Sequence, residues 1–298
     1  MNKKKQLQPV SGRKKKPTPL PYLLLVPALA LFTAFTYWPF LRTIIYSFAL
    51  TDKKGNWVKW VGIKNYIRVF TNRSFTQVMT NTFYFAAMVC IGTLVVAMIL
   101  ALLSAEQKKG SRVYETLFSM PMAVASAPAA TIFIFIMRKE GGVLNAMLGT
   151  ELAWLREPTL ALESVAFVTV WLSIGSTFIF LLVGFRNVPI DLIESSTLDG
   201  AGPFRRALKI MIPLASPQIF FVIFLNITAS FRAFGQIKLL TSGGPNGATT
   251  TLIYGMYENA FLNGRYETAY VQALTLFVII FVVTRIQTAL EEKVVFYS

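Results

Sequence analysis

The residues of this sequence that could do chemistry are few, and they fall in two kinds of place. One is a compact charged stretch, Glu194-Ser195-Ser196-Thr197-Leu198-Asp199-Gly200-Ala201-Gly202-Pro203-Phe204-Arg205-Arg206, set between two long apolar runs. The other is a set of amides, hydroxyls and one guanidinium within or at the ends of apolar runs: Asn81 and Thr82; Ser173, Ser176 and Thr177; Asn226, Thr228, Ser230 and Arg232. Neither set is catalytic in type. The chain has no histidine and a single cysteine, Cys90, inside an apolar run. A histidine base, a histidine metal site and a cysteine zinc cluster are therefore excluded, and Cys90 reads as a small packing residue. No carboxylate pair lies deep in an apolar run to serve as acid and base. No Gly-x-x-x-x-Gly-Lys-Ser/Thr loop is present to cradle a nucleotide's phosphates. What remains is recognition: a shaped polar surface for the first set, and interhelical glue or a solute path for the second.

The charged stretch has a definite local grammar. Residues 189–198 can form about two helical turns, with Pro189 suited to the first turn and Asp191 to the positive helix end. Ile190, Ile193 and Thr197 share one face by their three- and four-residue spacing. Asp199-Gly200 breaks that helix, because glycine tolerates left-handed backbone at little cost. Gly202-Pro203 begins a second helix with Arg205, Arg206 and Lys209 on its polar side, running on through Ile210-Met211-Ile212-Pro213. Spacing alone leaves two readings: a capped loop with interfacial basic residues, or a rigid knob that fits a cleft on a soluble partner.

The elements that must hold these groups follow from composition. Of 298 residues 54% are hydrophobic and 14% charged, whereas charged residues make up about a quarter of a soluble domain. Six runs approach the roughly twenty apolar residues a membrane span needs: 22–48, 78–104, 113–137, 160–185, 211–231 and 269–286. All six are expected to be helices, since lipid leaves an exposed backbone no other partner short of a closed barrel. Pro27, Pro39, Pro121, Pro128 and Pro217 punctuate them as kinks or hinges. Ala97, Ala101 and Ala105 suit close helix packing. Gly243 and Gly247 share that spacing but fall in a polar loop.

Charge sets the expected orientation. Lys3, Lys4, Lys5, Arg13, Lys14, Lys15 and Lys16 precede the first run, so residues 1–20 read as a basic cytoplasmic tail. Ala28-Leu29-Ala30 resembles a signal-peptide cleavage site, but the apolar run continues past it, which favours an uncleaved first span. Six spans return the C-terminus to the cytoplasm. Residues 107–112 and the Glu194 stretch then lie inside, and 53–72, 138–158 and 233–268 outside. The formal net charge of +15 is read as membrane anchoring, with no basic aromatic stripe for nucleic acid.

Several stretches together carry a family resemblance. Glu194-Ser195-Ser196, Gly200 and Ile210-x-Ile212-Pro213 resemble the Glu-Ala-Ala, glycine and Ile-x-Leu-Pro signature of membrane subunits of ATP-binding-cassette importers, with serines for alanines and isoleucine for leucine. Pro121, Pro128, Gly142, Leu144, Asn145 and Gly149, then Trp154-Leu155, Pro158, Ala161-Leu162 and Trp171, are similar to the third and fourth spans of the carbohydrate-importer permeases. "TSGGPNGATTTLIY" at 241–254 is similar to a loop of the sugar and glycerol-3-phosphate branch, as are "FLRTIIYSFALTD" and "VGIKNYIRVF" nearer the start. The resemblance implies an all-α membrane protein of type I importer (MetI-like) fold, with residues 21–298 as a six-helix permease domain of the plain six-span kind. It implies a subunit with no catalysis and no cofactor of its own, in a bacterial cytoplasmic membrane. ATP is bound by a cytoplasmic ATPase dimer, a second related permease completes the pore, and an extracytoplasmic solute-binding protein supplies a sugar or sugar derivative, or else sn-glycerol-3-phosphate or a glycerophosphodiester. Residues 189–213 become the coupling segment, with Glu194, Ser195, Ser196, Asp199, Gly200, Ala201 and Pro213 on the ATPase side. Asn226, Ser230, Asn81 and Ser176 become the solute path. A secondary transporter would call for inverted repeats, and none is seen; a non-transport membrane protein is the other rival.

Overall fold

The computed structural model describes residues 20–106 and 109–294; the basic cluster at 3–16 lies outside them. Two compact units divide after Ile45. The first unit holds α1 (Leu20–Phe32), a π-helical turn (Thr33–Tyr37) and most of α2 (Trp38–Ser47). The π turn precedes Pro39, and the Trp38 amide reaches back to the Thr33 carbonyl, so the wider turn absorbs the hydrogen bond that proline cannot make. Every residue from 22 to 39 is exposed.

The second unit is built on three long helices. These are α4 (Arg73–Ser104), α8 (Ala161–Arg186) and α15 (Tyr266–Val294). With Tyr22–Ser47, they are the four helices long and apolar enough to cross a membrane singly. The last one outruns the apolar run at 269–286, because helical hydrogen bonding continues past the point where polar residues begin. The apolar runs at 113–137 and 211–231 fall on two bent helix pairs, with breaks where prolines were expected to kink or hinge the chain. Ser111–Ala123 meets Ser126–Ile136 at 100°, and Pro203–Leu214 meets Ser216–Phe231 at 75°.

The bends have local causes. In the first pair, α5 (Ser111–Ser119) tightens into a 3-10 turn at Met120–Ala123 that contains Pro121. Val124 and Ala125 are extended, and α6 (Ser126–Ile136) restarts with Pro128 in its first turn, where its missing N–H is harmless. The turn presses on α8 at Gly175, where a Cβ would lie 2.7 Å from the Ser119 carbonyl oxygen. In the second pair, Pro213 and Pro217 flank the bend at Ala215, and a π turn at Ala207–Met211 precedes Pro213.

Close packing holds the long helices together. Ala97 and Ala101 of α4 are fully buried against Phe178, Leu181 and Phe185 of α8 and Ile219 and Val222 of α12 (Ser216–Phe231). In lipid, this contact is stabilised by dispersion and small-residue fit rather than by escape from water. A second cluster joins Phe85 and Val89 of α4 to Val165 and Val168 of α8, Phe133 of α6 and Ile237 of α13 (Gly235–Leu240).

The segments between spans are more structured than their polarity suggests. Residues 49–60 form an antiparallel hairpin of β1 (Ala49–Thr51) and β2 (Trp57–Trp60), the one departure from an all-α chain among the described residues. Short helix α3 (Lys64–Phe70) follows, and its buried Asn65 donates to the carbonyls of Ser47 and Ala49 at 2.9 and 2.8 Å. Asp52 caps the hairpin turn by accepting from the Asn56 side chain and from the amides of Asn56 and Lys54, and this holds its carboxyl below the usual range. Further on, α7 (Val143–Leu148) carries Asn145, whose amide bonds the carbonyls of Arg138, Lys139 and Leu152 and accepts from Thr150 and Trp154.

Candidate functional site

The charged stretch folds as its sequence demands. Pro189 caps α9 (Ile190–Leu198), which ends when the Asp199 and Gly200 amides bond to the Ser195 and Thr197 carbonyls at 3.0 Å each. Gly200 takes φ +76° with open space around it, so the constraint there is backbone conformation and not crowding. The Ala201 amide returns to the Ser196 carbonyl at 2.9 Å, and Pro203 opens α10 (Pro203–Arg206). The product is a stiff helix–turn–helix tip.

Its residues do not all face the same way. Glu194, Ser195, Asp199 and Gly200 are exposed, Ala201 is half-buried, and Ser196 is turned inward with its hydroxyl on the Ile193 carbonyl at 2.8 Å. Pro213 lies away from the tip in α11 (Ile212–Leu214). Two residues not singled out from the sequence dominate the surface: Leu198 is 90% exposed and Phe204 77%. Their signal was available, as apolar residues either side of a solvent turn. Arg206 is on the polar side of its helix; its side chain is 17% exposed and bonds across the turn to Thr197.

The polar groups at membrane depth separate into two groups. Asn226 and Ser230 line a cavity of about 280 Å³ with Ser126, Thr169, Ser173, Arg232, Phe234 and Gln236. The groups come from α6, α8, α12 and the start of α13, far apart in sequence, which is why Ser126, Thr169 and Gln236 escaped notice. Asn226 is held across α12 and α8 by the Thr177 hydroxyl at 3.1 Å and donates to the Val222 carbonyl at 3.0 Å. Arg232 is the one charged group on this lining, and its Nε rests on the Thr228 carbonyl at 3.2 Å. Asn81 and Ser176 lie elsewhere. Asn81 donates to the carbonyls of Gly247 and Thr250, and Ser176 to that of Ser173. Thr82 accepts from the Leu252 amide at 2.8 Å. A larger polar cavity, about 610 Å³, opens at the hairpin end and carries mixed charge, including Arg68 and Glu267 at 3.8 Å.

Comparison with known proteins decides what kind of molecule this is. The model of the family described as "Binding-protein-dependent transport system inner membrane component" matches residues 94–296. The chain belongs to that family. Over 283 residues the permease is 34% identical to the sn-glycerol-3-phosphate transport system permease protein UgpA of Yersinia enterocolitica and to that of an Escherichia coli strain, covering 94% of this chain and 96% of each relative. Its fold matches a chain of a bacterial ABC transporter involved in import of the acidic polysaccharide alginate, with TM-score 0.80, 20% identity and coverage of 92% and 96%. A chain of a bacterial alginate ABC transporter in complex with an alginate pentasaccharide-bound periplasmic protein gives TM-score 0.81 at 20% identity. The type I importer fold read from the sequence is thus the fold observed. The permease is an inner-membrane component of a binding-protein-dependent transport system.

Proposed function

We propose that the permease forms one half of a translocation pore, completed by a second related permease, and is driven through residues 189–213 by a cytoplasmic ATPase dimer. A solute-binding protein delivers the solute from the other face. The observation that carries this reading is the tip itself. Leu198 and Phe204 stand almost fully exposed on a turn stiffened by its own hydrogen bonds, and apolar groups so displayed mark a contact surface. In this arrangement the tip, the basic cluster at 3–16 and both termini lie on the cytoplasmic side. ATP is hydrolysed on the partner, and closure of that partner rocks the spans between the two access states. ATP and loaded binding protein act by favouring one state over the other.

The solute is a small sugar derivative or polyol that carries an anionic group, with sn-glycerol-3-phosphate, named for the relatives at 34% identity, as the leading candidate. The cavity lining supports the anionic choice, for it holds Arg232, at the C-terminal end of α12, and no carboxylate. The test is reconstitution with the partner subunits. Wild-type complex should take up labelled sn-glycerol-3-phosphate in preference to a neutral disaccharide. Arg232→Gln should lower that uptake by about tenfold, the factor one hydrogen bond to a charged group is worth. Glu194→Lys should weaken ATPase association. Uptake of the neutral sugar alone refutes the solute, and permease that purifies without any ATPase under all conditions refutes the coupling.

A further inference from the structure

We propose that Arg186 and Arg206 are positioning residues that tie the two arms of the coupling segment to the C-terminal end of α4. A push on the tip is then delivered to α4 and α5 as well as to the helices into which the tip is spliced. The inference rests on reading 189–213 as the ATPase seat.

Arg186 ends α8, three residues before Pro189. Its Nη2 donates to the Ser104 carbonyl at 2.9 Å and to Glu115 Oε1 at 2.6 Å, and its Nη1 to Glu115 Oε2 at 3.3 Å. One guanidinium therefore joins the end of α4, the start of α5 and the end of α8. The side chains are 25% and 20% exposed, so the pair is partly sheltered from screening. Ser104 is the last residue of α4, where carbonyls lack helical partners and the helix end is negative. A two-pronged fork on a carboxylate fixes direction as well as distance, which a lysine would not do.

Arg206 does the same for the exit arm. It ends α10, and its Nη1 donates to Thr197 Oγ1 at 2.6 Å while Nη2 reaches Glu106 Oε1 at 3.3 Å. Glu106 lies two residues past the end of α4, and Thr197 is on α9. The guanidinium thus staples the two tip helices together across the Gly200 bend and fastens both to α4.

The need for such ties is visible between them. A groove of about 780 Å³ separates the end of α4 from the coupling segment, with Leu102 and Leu103 on one wall and Ile190, Ile193 and Phe204 on the other. Leu102 and Ala105 pack in one cluster with Met211 and Ile212 at the base of the groove, and the two arginines add directional polar ties across its open part. Beyond them, α4 is well placed to pass force on. Ala97 and Ala101 lock it against α8 and α12, and at 32 residues it is about 48 Å long. Near its far end Asn81 and Thr82 hold the loop at 247–252.

The test uses the full complex, with partner permease, ATPase and binding protein, in proteoliposomes. Glu106→Gln and Glu115→Gln lie outside the coupling segment and keep side-chain shape while removing charge. In the double variant ATPase association and basal hydrolysis should persist, while solute moved per ATP hydrolysed should fall by about tenfold, the factor one charge-assisted bond is worth. Arg186→Glu alone should be similarly uncoupled; adding Glu115→Arg remakes the pair between α5 and α8 but leaves the Ser104 carbonyl without its donor, so transport per ATP should recover in part. A double glutamine variant with wild-type transport per ATP overturns the proposal. So does a charge exchange no better than Arg186→Glu alone. Should the charge-reversed proteins fail to insert, spin labels at positions 103 and 192 decide the matter in the glutamine variant. Their separation should stay constant between nucleotide-free and ATP-trapped wild-type complex and change in the variant; a constant separation in both overturns the proposal. A wild-type complex that retains no ATPase sinks the docking reading instead.

Discussion

Truncation of Leu198 should weaken ATPase binding by an amount the structure fixes. Leu198 is 90% exposed in the isolated chain, so a partner that seats the tip removes nearly its whole side chain from water. Leucine exceeds alanine by three carbons, and each buried methylene is worth about 0.8 kcal/mol, which gives about 2 kcal/mol at that exposure. That energy is roughly a thirtyfold rise in Kd. Phe204→Ala, from 77% exposure, should cost at least as much, since an aromatic ring buries more area. The assay is a titration of detergent-solubilised permease pair with purified ATPase, read as co-elution or by fluorescence anisotropy. Ile91→Ala on α4 is the control. It is 62% exposed in mid-span, removes a similar number of carbons and should leave Kd unchanged. The two tip variants should also lower binding-protein-stimulated ATP hydrolysis at limiting ATPase and recover at saturating ATPase, because the loss is in binding. A change under about threefold for both tip variants, or an equal loss for Ile91→Ala, would refute the reasoning, since burial of even one methylene exceeds that threshold.

Three further outcomes follow from the same structure. Gly175→Ala should lower the thermal transition of the solubilised permease, because the new Cβ lies 2.7 Å from the Ser119 carbonyl oxygen and 3.0 Å from Met122; an unchanged melting profile would mean the bend between α5 and α6 yields freely. Asn145→Asp keeps the shape of a buried hub but turns its donor amide into an acceptor facing three carbonyls, and should destabilise the fold by about 2–4 kcal/mol, read from the same transition. Asp52 has a carboxyl pKa held below its ordinary value by the Asn56 side chain and amide, so the tie is intact above the ordinary carboxylate pKa and is lost as pH falls through the lowered one. Amide exchange at Gly55 and Asn56 should accordingly stay protected down to the usual carboxylate range and loosen only below it; loosening near neutral pH would contradict the assignment.

Much of the architecture was legible before any coordinates. Hydropathy located the four helices that can cross a membrane singly and the two bent pairs, since twenty apolar residues have one stable arrangement in lipid whatever surrounds them. The helix–bend–helix tip at 189–213 was legible too, because Pro189, Gly200 and Pro203 act through their own backbone restrictions. Ala97 and Ala101 declared a packing face by spacing alone, and both are fully buried. These are local properties, carried by a residue and its immediate neighbours.

What the sequence could not settle depends on residues far apart in the chain. Prolines at 121 and 128, or at 213 and 217, permit a bend, but the size of each depends on the helix it presses against; Gly175 of α8 lets the first reach 100°. Asn81 and Asn226 look alike as amides within apolar runs. One secures the loop at 247–252 and the other faces a cavity shared by five helices. Arg206 reads as one of three basic groups on a polar helix side, and its partner Glu106, 100 positions earlier, comes to it only in the fold. Spacing along one helix reports which groups share a face. Which neighbour that face meets is decided only when separate helices pack, for the energy of a polar group at membrane depth lies in the partner that satisfies it.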